Sequence, residues 1–200
     1  MATTLEATGN LAVQQVTPAV GAEVKGIDLS QPIDEPTAAL LRDTWHEHIA
    51  LVFRGQDITE EEQLRFAACF GEVGMRRRRP GEQGEGEFRG SIMMVTNITD
   101  GPEDQRNSFG DGEMWWHHDT CYYDVPNKAT LIYSVELPAT GGNTRVNNMY
   151  LAYDNIPQPL KDKLEGGRVL QVHDYKRRER IDLETADIDN MIHCYQPIFV

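Results

Sequence analysis

Apolar residues recur at three-to-four-residue spacing in the early part of the chain, which predicts amphipathic helices there. One helix is expected from Pro36 to Ile49. Its apolar stripe consists of Ala38, Leu41, Trp45 and Ile49. Thr59 followed by Glu62 has the pattern of a capping box, so a second helix is expected to begin there and to end before Gly71.

Short runs rich in β-branched residues predict strands over much of the remaining chain. These runs are ALVF (50–53), SIMMVTNI (91–98), ATLIYSVE (129–136), TRVNN (144–148), RVLQVHDY (168–175) and YQPIFV (195–200). Residues 16–34 mix valine-rich pieces with Gly and Pro, which predicts short strands and turns. Short helices are expected at 149–155 and 159–164. Helices first and strands later favour a mainly β fold with flanking helices, an antiparallel barrel or jelly roll.

Composition fits one folded domain. The chain has 200 residues, of which 40% are hydrophobic, so we expect a flexible terminus over 1–10 and a single domain over 11–200. A net charge of -13 argues against binding to nucleic acid or to an anionic membrane surface. The chain has no long apolar run, no secretory leader pattern and no CxxC spacing among its three cysteines, so a cytoplasmic protein is expected.

The stretch WWHHDTCYY (115–123) holds the most specific chemistry in the chain. The WWHHD piece is expected to be a short strand, in which His117 and Asp119 point to one side and His118 to the other. An imidazole and a carboxylate on one side are two of the three ligands of the 2-His-1-carboxylate triad that holds Fe(II). An H-x-D triplet also occurs as an ordinary surface or hydrogen-bonded pair. A zinc site that uses both histidines is disfavoured, because neighbouring residues of a strand face opposite ways.

Several motifs in a fixed order accompany this triplet. They are LVFRGQ (51–56), ITEEEQLRFAACFGE (58–72), WHHD (116–119), LPATGGNT (137–144) and MYLAYDNIP (149–157). Together they resemble the taurine dioxygenase and 2,4-dichlorophenoxyacetate dioxygenase family of Fe(II)- and 2-oxoglutarate-dependent enzymes, from about Val16 onward. The resemblance implies a double-stranded β-helix core (jelly roll, cupin-like), incomplete in this chain, and a homo-oligomer.

The resemblance also implies site residues. The family's iron-binding H-x-D falls on His117 and Asp119. Its G-G-D-T motif falls on residues 141–144, so the Thr144 hydroxyl is expected to contact the co-substrate 2-oxoglutarate. Asn143 stands where the family has aspartate, and both residue types suit a turn.

Substrate contacts are implied at three further positions. Arg76 and Arg79 follow the F-G-E helix and are expected to grip a carboxylate or sulfonate, since a guanidinium pairs with such groups bidentately. The alternative is that these arginines are solvated and offset the neighbouring glutamates. Asn97 corresponds to a residue beside the active site in phenoxyacetate-type members, although it also suits the end of a strand.

The family completes its site with a distal histidine and a 2-oxoglutarate-binding arginine. Both are expected beyond Val200, because YQPIFV resembles the strand that precedes them. His173 and His193 match family stretches that have no metal role. The expected function is therefore hydroxylation of a small anionic organic acid with Fe(II), 2-oxoglutarate and O2, releasing succinate and CO2. The alternative is a catalytically incomplete binding or oligomerisation module.

Overall fold

A computed structural model describes residues 11–74, 92–93, 95, 116–173 and 186–200. Its strands are β1 (Ala12–Gln15), β2 (Ala22–Lys25), β3 (Leu51–Val52), β4 (Arg168–His173) and β5 (Ile192–Pro197). Its helices are α1 (Glu35–His48), α2 (Glu60–Ala68), α3 (Met149–Asp154) and α4 (Gln158–Leu164), with a 3₁₀ turn at Ile188–Asn190.

The chain divides into two compact units. The first takes Met1–Gly112 and Leu131–Ala152, and the second takes Glu113–Thr130 and Tyr153–Val200.

A three-stranded sheet organises the first unit. β1 pairs antiparallel with β2, and β2 pairs parallel with β3. α1 is the crossover between β2 and β3, as a parallel pair requires. The strands predicted around residues 16–34 and 50–53 are confirmed in β2 and β3.

Both predicted helices of the first unit are confirmed, and their ends have local causes. Asp34 caps α1 by accepting from the Thr37 N–H at 2.9 Å. Thr59 and Glu62 form the predicted capping box at the start of α2. The hydrogen bonds from Thr59 lower the pKa of Glu62 below its ordinary value, because they favour the ionised carboxylate. α2 ends at Ala68, before Gly71, as its pattern predicts.

The core of the first unit is small and partly aromatic. Val24, Leu29, Leu41 and Phe66 form its buried cluster. The Phe66 ring meets the Phe53 ring edge-on, with centroids 5.1 Å apart. Because Val24 lies in β2, Leu41 in α1 and Phe66 in α2, the cluster joins both helices to the sheet. Full burial of each large side chain stabilises the fold by about 1.5–3 kcal/mol.

Gln56, in the LVFRGQ motif, joins two loops of the first unit. Its Oε1 accepts from the Leu29 N–H at 2.9 Å, and its Nε2 donates to the Ile27 carbonyl at 3.1 Å. One side chain therefore supplies both a donor and an acceptor to the loop that leaves β2, where the strand ladder has ended.

The strands predicted at 129–136 and 144–148 are wrong, because the structure assigns none to these residues. Side chains still alternate along the first run, with Leu131 and Tyr133 half-buried and Ile132 exposed. Leu131 packs on the core cluster, and the Tyr133 hydroxyl accepts from the Ile58 N–H at 3.3 Å. The run is anchored by its side chains rather than by the backbone ladder that defines a strand.

The second unit contains an antiparallel pair, β4 and β5, in register from Arg168 with Pro197 to His173 with Ile192. β4 confirms the strand predicted at 168–175 as far as His173, while β5 begins three residues before the strand predicted at 195–200 and ends at Pro197. The helices α3 and α4 confirm the two predicted short helices. None of the described residues of the second unit is fully buried.

The structure leaves several of the broader predictions untested. The described elements are small sheets with helices, while the jelly-roll core and the single domain over 11–200 stay predictions. The predicted flexible terminus (1–10) and most of the strand predicted at 91–98 lie outside the described residues. Within the described ranges, no helix combines the length and the apolar character needed to cross a membrane.

Candidate metal centre

His117 and Asp119 meet at the surface of the second unit. The His117 Nε2 lies 3.2 Å from the Asp119 Oδ1, and the two side chains are 48% and 45% exposed. The predicted convergence is therefore present, and a small molecule has access to both groups. The structure assigns no strand to residues 116–119, so the expected strand is not formed here, and a turn over residues 119–122 begins at Asp119.

The turn depends on Thr120, which has a φ of 60°. This left-handed conformation is uncommon for a residue other than glycine. The Thr120 Oγ1 accepts from the Asn127 N–H at 2.7 Å, and its carbonyl accepts from the Tyr123 N–H at 3.0 Å. These bonds hold the chain direction immediately after Asp119.

The second carboxylate oxygen of Asp119 is also engaged. The Thr130 hydroxyl donates to the Asp119 Oδ2 at 2.6 Å. This distance is typical of a hydrogen bond from a hydroxyl to an ionised oxygen. Asp119 thus presents one oxygen to His117 and the other to Thr130.

The donor set fits a divalent first-row metal such as iron(II). Two ligands about 2.1 Å from an ion and about 90° apart lie about 3.0 Å from each other. The observed 3.2 Å separation of imidazole nitrogen and carboxylate oxygen is compatible with a shared ion, and it is also the separation of a direct hydrogen bond or ion pair. Among the described residues, no group of three His, Cys, Asp or Glu side chains is placed to hold a metal, and the role of His117 and Asp119 as ligands stays a prediction.

The other histidines of the second unit have different surroundings. His118 is exposed. The His173 ring stacks on Tyr122, with centroids 4.5 Å apart and planes 26° apart. The Nδ1 of His193 lies 3.1 Å from the Met191 carbonyl oxygen.

Cys121 follows the pair closely but does not resemble a thiolate ligand. Burial raises the pKa of its thiol, and the nearby Asp119 carboxylate raises it further. Its Sγ donates to the Gln171 Oε1 at 3.2 Å. The Cys121 thiol therefore has a hydrogen-bond acceptor of its own in Gln171.

Thr144 lies in the first unit, in an exposed run after two glycines. Gly141 and Gly142 have φ values of 81° and 66°, which other residues rarely adopt. A Cβ on Gly142 would also lie 3.0 Å from the Pro138 side chain. The glycine pair is therefore required by the backbone, and the contact of Thr144 with 2-oxoglutarate stays a prediction.

The remaining predicted site residues, Arg76, Arg79 and Asn97, lie outside the described residues, and their roles stay predictions. One residue was missed by sequence reasoning. Thr130 contacts Asp119 across eleven positions, and the only sequence signal for it is a hydroxyl at the start of an apolar run.

Comparison with known proteins places this site in context. A family model described as "Taurine catabolism dioxygenase TauD, TfdA family" matches residues 12–199. Pentalenolactone F synthase of Streptomyces avermitilis is 31% identical over 173 residues, which is 85% of this chain and 53% of that protein. The alpha-ketoglutarate-dependent 2,4-dichlorophenoxyacetate dioxygenase of Cupriavidus pinatubonensis is 26% identical over 175 residues, which is 85% of this chain and 60% of that protein.

A solved structure, AAD-2 in complex with Mn(II) and N-oxalylglycine, has the same fold. The TM-score is 0.62 at 22% identity, over 94% of this chain and 63% of that chain. The chain spans about half the length of the curated relatives it matches. Because the family match extends over nearly all of these residues, the chain belongs to the taurine catabolism dioxygenase TauD, TfdA family.

Proposed function

We propose that the protein is an Fe(II)- and 2-oxoglutarate-dependent dioxygenase that hydroxylates a small anionic organic acid. The substrate class is an aryloxyalkanoate, a sulfonate or a related carboxylate, and the co-products are succinate and CO2. The convergence of the His117 Nε2 and the Asp119 Oδ1 supports the proposal, in a chain that belongs to this family. Homo-oligomerisation and a cytoplasmic setting belong to the same proposal.

Each proposed site residue has a defined task. His117 and Asp119 would hold the metal through the imidazole nitrogen and one carboxylate oxygen, which lie 3.2 Å apart. The Thr144 hydroxyl would donate to a carboxylate of 2-oxoglutarate. When bound, iron(II) supplies the oxygen chemistry that couples decarboxylation of 2-oxoglutarate to insertion of one oxygen atom into a substrate C–H bond.

The substrate class rests on charge and on the relatives. The relative from Cupriavidus acts on 2,4-dichlorophenoxyacetate, an aryloxyalkanoate anion. A protein with a net charge of -13 repels such an anion unless local cations attract it. Arg76 and Arg79 would supply those cations and pair with the carboxylate or sulfonate, and the Asn97 amide would add a hydrogen bond.

The proposal is tested by succinate release in the full-length protein. The assay contains Fe(II), ascorbate, 2-oxoglutarate and a panel of aryloxyalkanoates, sulfonates and carboxylates. Succinate formation that depends on both the protein and one member of the panel is the expected result. The proposal fails if the protein forms no succinate with or without substrate and binds no Fe(II) in the presence of 2-oxoglutarate. That result would favour the binding or oligomerisation module.

A histidine pair provides a matched control. His117→Ala removes a proposed metal ligand and is expected to lower succinate formation by about a thousandfold or more, a loss of at least about 4 kcal/mol of transition-state stabilisation. His118→Ala removes an exposed neighbour and is expected to leave at least half of the activity. Thermal unfolding followed by circular dichroism checks that both variants fold. Equal activity of the two variants would contradict the assignment of His117.

A further inference from the structure

The hydrogen bond from Thr130 to Asp119 constrains how the carboxylate can bind a metal. The Thr130 Oγ1 donates to the Oδ2 at 2.6 Å, while the Oδ1 lies 3.2 Å from the His117 Nε2. The two oxygens of one carboxylate therefore have separate partners. Only the Oδ1 is on the side of the proposed ligand His117.

A carboxylate can bind a metal through one oxygen or through both. An octahedral ion held by a facial triad keeps its remaining positions open for co-substrate and O2. 2-Oxoglutarate chelates through its 2-oxo group and its adjacent carboxylate, and O2 needs one position more. An aspartate that bound through both oxygens would occupy one of these positions.

We infer that Thr130 is a positioning residue that keeps Asp119 a one-oxygen ligand and so preserves a coordination position for 2-oxoglutarate. This inference rests on the proposed function. The hydroxyl acts through the Oδ2: its hydrogen bond holds that oxygen toward Thr130 while the Oδ1 lies toward His117, and so favours binding of the ion through the Oδ1 alone. Thr130 itself contacts neither the metal nor the substrate in this role.

Three variants separate the hydroxyl from its surroundings. Thr130→Val keeps the shape of the side chain and removes the donor, and Thr130→Ser keeps the donor and removes a methyl group. Ser134→Ala removes an exposed hydroxyl four residues further along the same run and serves as the matched control. Circular dichroism and thermal unfolding confirm that each variant folds.

The readout is binding rather than turnover. Mn(II) binding to the full-length protein is measured by electron paramagnetic resonance, and 2-oxoglutarate binding to the Mn(II)-loaded protein by calorimetry. Thr130→Val is expected to bind Mn(II) within about twofold of the wild type and to bind 2-oxoglutarate about tenfold or more weakly. Thr130→Ser and Ser134→Ala are expected to match the wild type in both measurements.

The outcomes distinguish this inference from the proposed function. Wild-type affinity of Thr130→Val for 2-oxoglutarate overturns the role of Thr130 and leaves the proposed function standing. Equal weakening of Mn(II) and 2-oxoglutarate binding also overturns it, because the hydroxyl would then support the whole site rather than one position. A wild-type protein that binds neither Mn(II) nor 2-oxoglutarate overturns the proposed function, and this inference with it.

Discussion

Thr120 shows how one strained residue positions a candidate ligand. A φ of 60° places a β-carbon close to the following carbonyl and costs about 1–2 kcal/mol. The hydrogen bond from the Asn127 N–H to its hydroxyl stabilises the turn in this conformation. Thr120 therefore holds the turn that begins at the proposed ligand Asp119.

Replacing Thr120 is expected to lower the affinity of the proposed site at His117 and Asp119 for a metal ion. Thr120→Ala keeps the strain and removes the acceptor, so Mn(II) affinity is expected to fall by about three- to tenfold in a titration followed by electron paramagnetic resonance. Thr120→Asn is the matched rescue, because asparagine tolerates this conformation and carries an acceptor oxygen. Unchanged affinity in Thr120→Ala would show that the turn does not position Asp119.

The pair at residues 117 and 119 was predictable from its spacing, although the structure assigns no strand there. Alternation along an extended chain predicts that the two side chains share one side, and they do lie 3.2 Å apart, just before the turn over residues 119–122. Thr130 was not predictable, since the contact joins residues eleven positions apart and depends on how the chain returns. Local spacing therefore identifies a pair of ligands more readily than the group that orients them.

At the scale of elements, the helices were predicted well because their signals are local. Asp34 and the Thr59–Glu62 pair satisfy backbone N–H groups within the same turn, and each marks the start of a helix. A strand needs a partner from elsewhere in the chain. The run 129–136 has the alternation of a strand, with Leu131 and Tyr133 turned inward, but no ladder forms along it in the structure.

The capping box of α2 gives a prediction about stability. Thr59→Ala removes the acceptor for the Glu62 N–H and is expected to lower the free energy of unfolding by about 1 kcal/mol, measured in urea. Thr59→Ser keeps the hydroxyl and is expected to stay within about 0.5 kcal/mol of the wild type. A loss of the same size in both variants would assign the effect to the methyl group instead of the cap.

At the scale of the whole molecule, burial is unevenly distributed between the units. The fully buried hydrophobic residues among those described all lie in the first unit, from Val13 to Phe66. The second unit, which contains His117 and Asp119, is held by its two-stranded ladder and by side-chain contacts such as that between Tyr153 and Phe199. A two-stranded sheet alone is marginally stable in water.

Hydrogen exchange of the 200-residue chain is expected to reflect this difference. Amides of α1 and β2 should exchange more slowly than those of β4 and β5 by about tenfold or more, because they open only when the buried cluster opens. Mass spectrometry of exchanged peptides measures this directly, and peptides from α2 serve as an internal reference. Equal protection of both units would mean that the chain unfolds as one cooperative body.

The contacts of Gln56 show that a sequence motif typical of a family can have a structural role. The LVFRGQ motif helps to identify the family, yet its glutamine binds the loop at residues 27–29 and has no proposed task in catalysis. Its retention in a related protein would indicate that the same loops are joined. A relative that had lost the histidine and aspartate could keep this glutamine unchanged. The motif therefore carries information about ancestry and architecture, whereas information about chemistry resides in the H-x-D triplet.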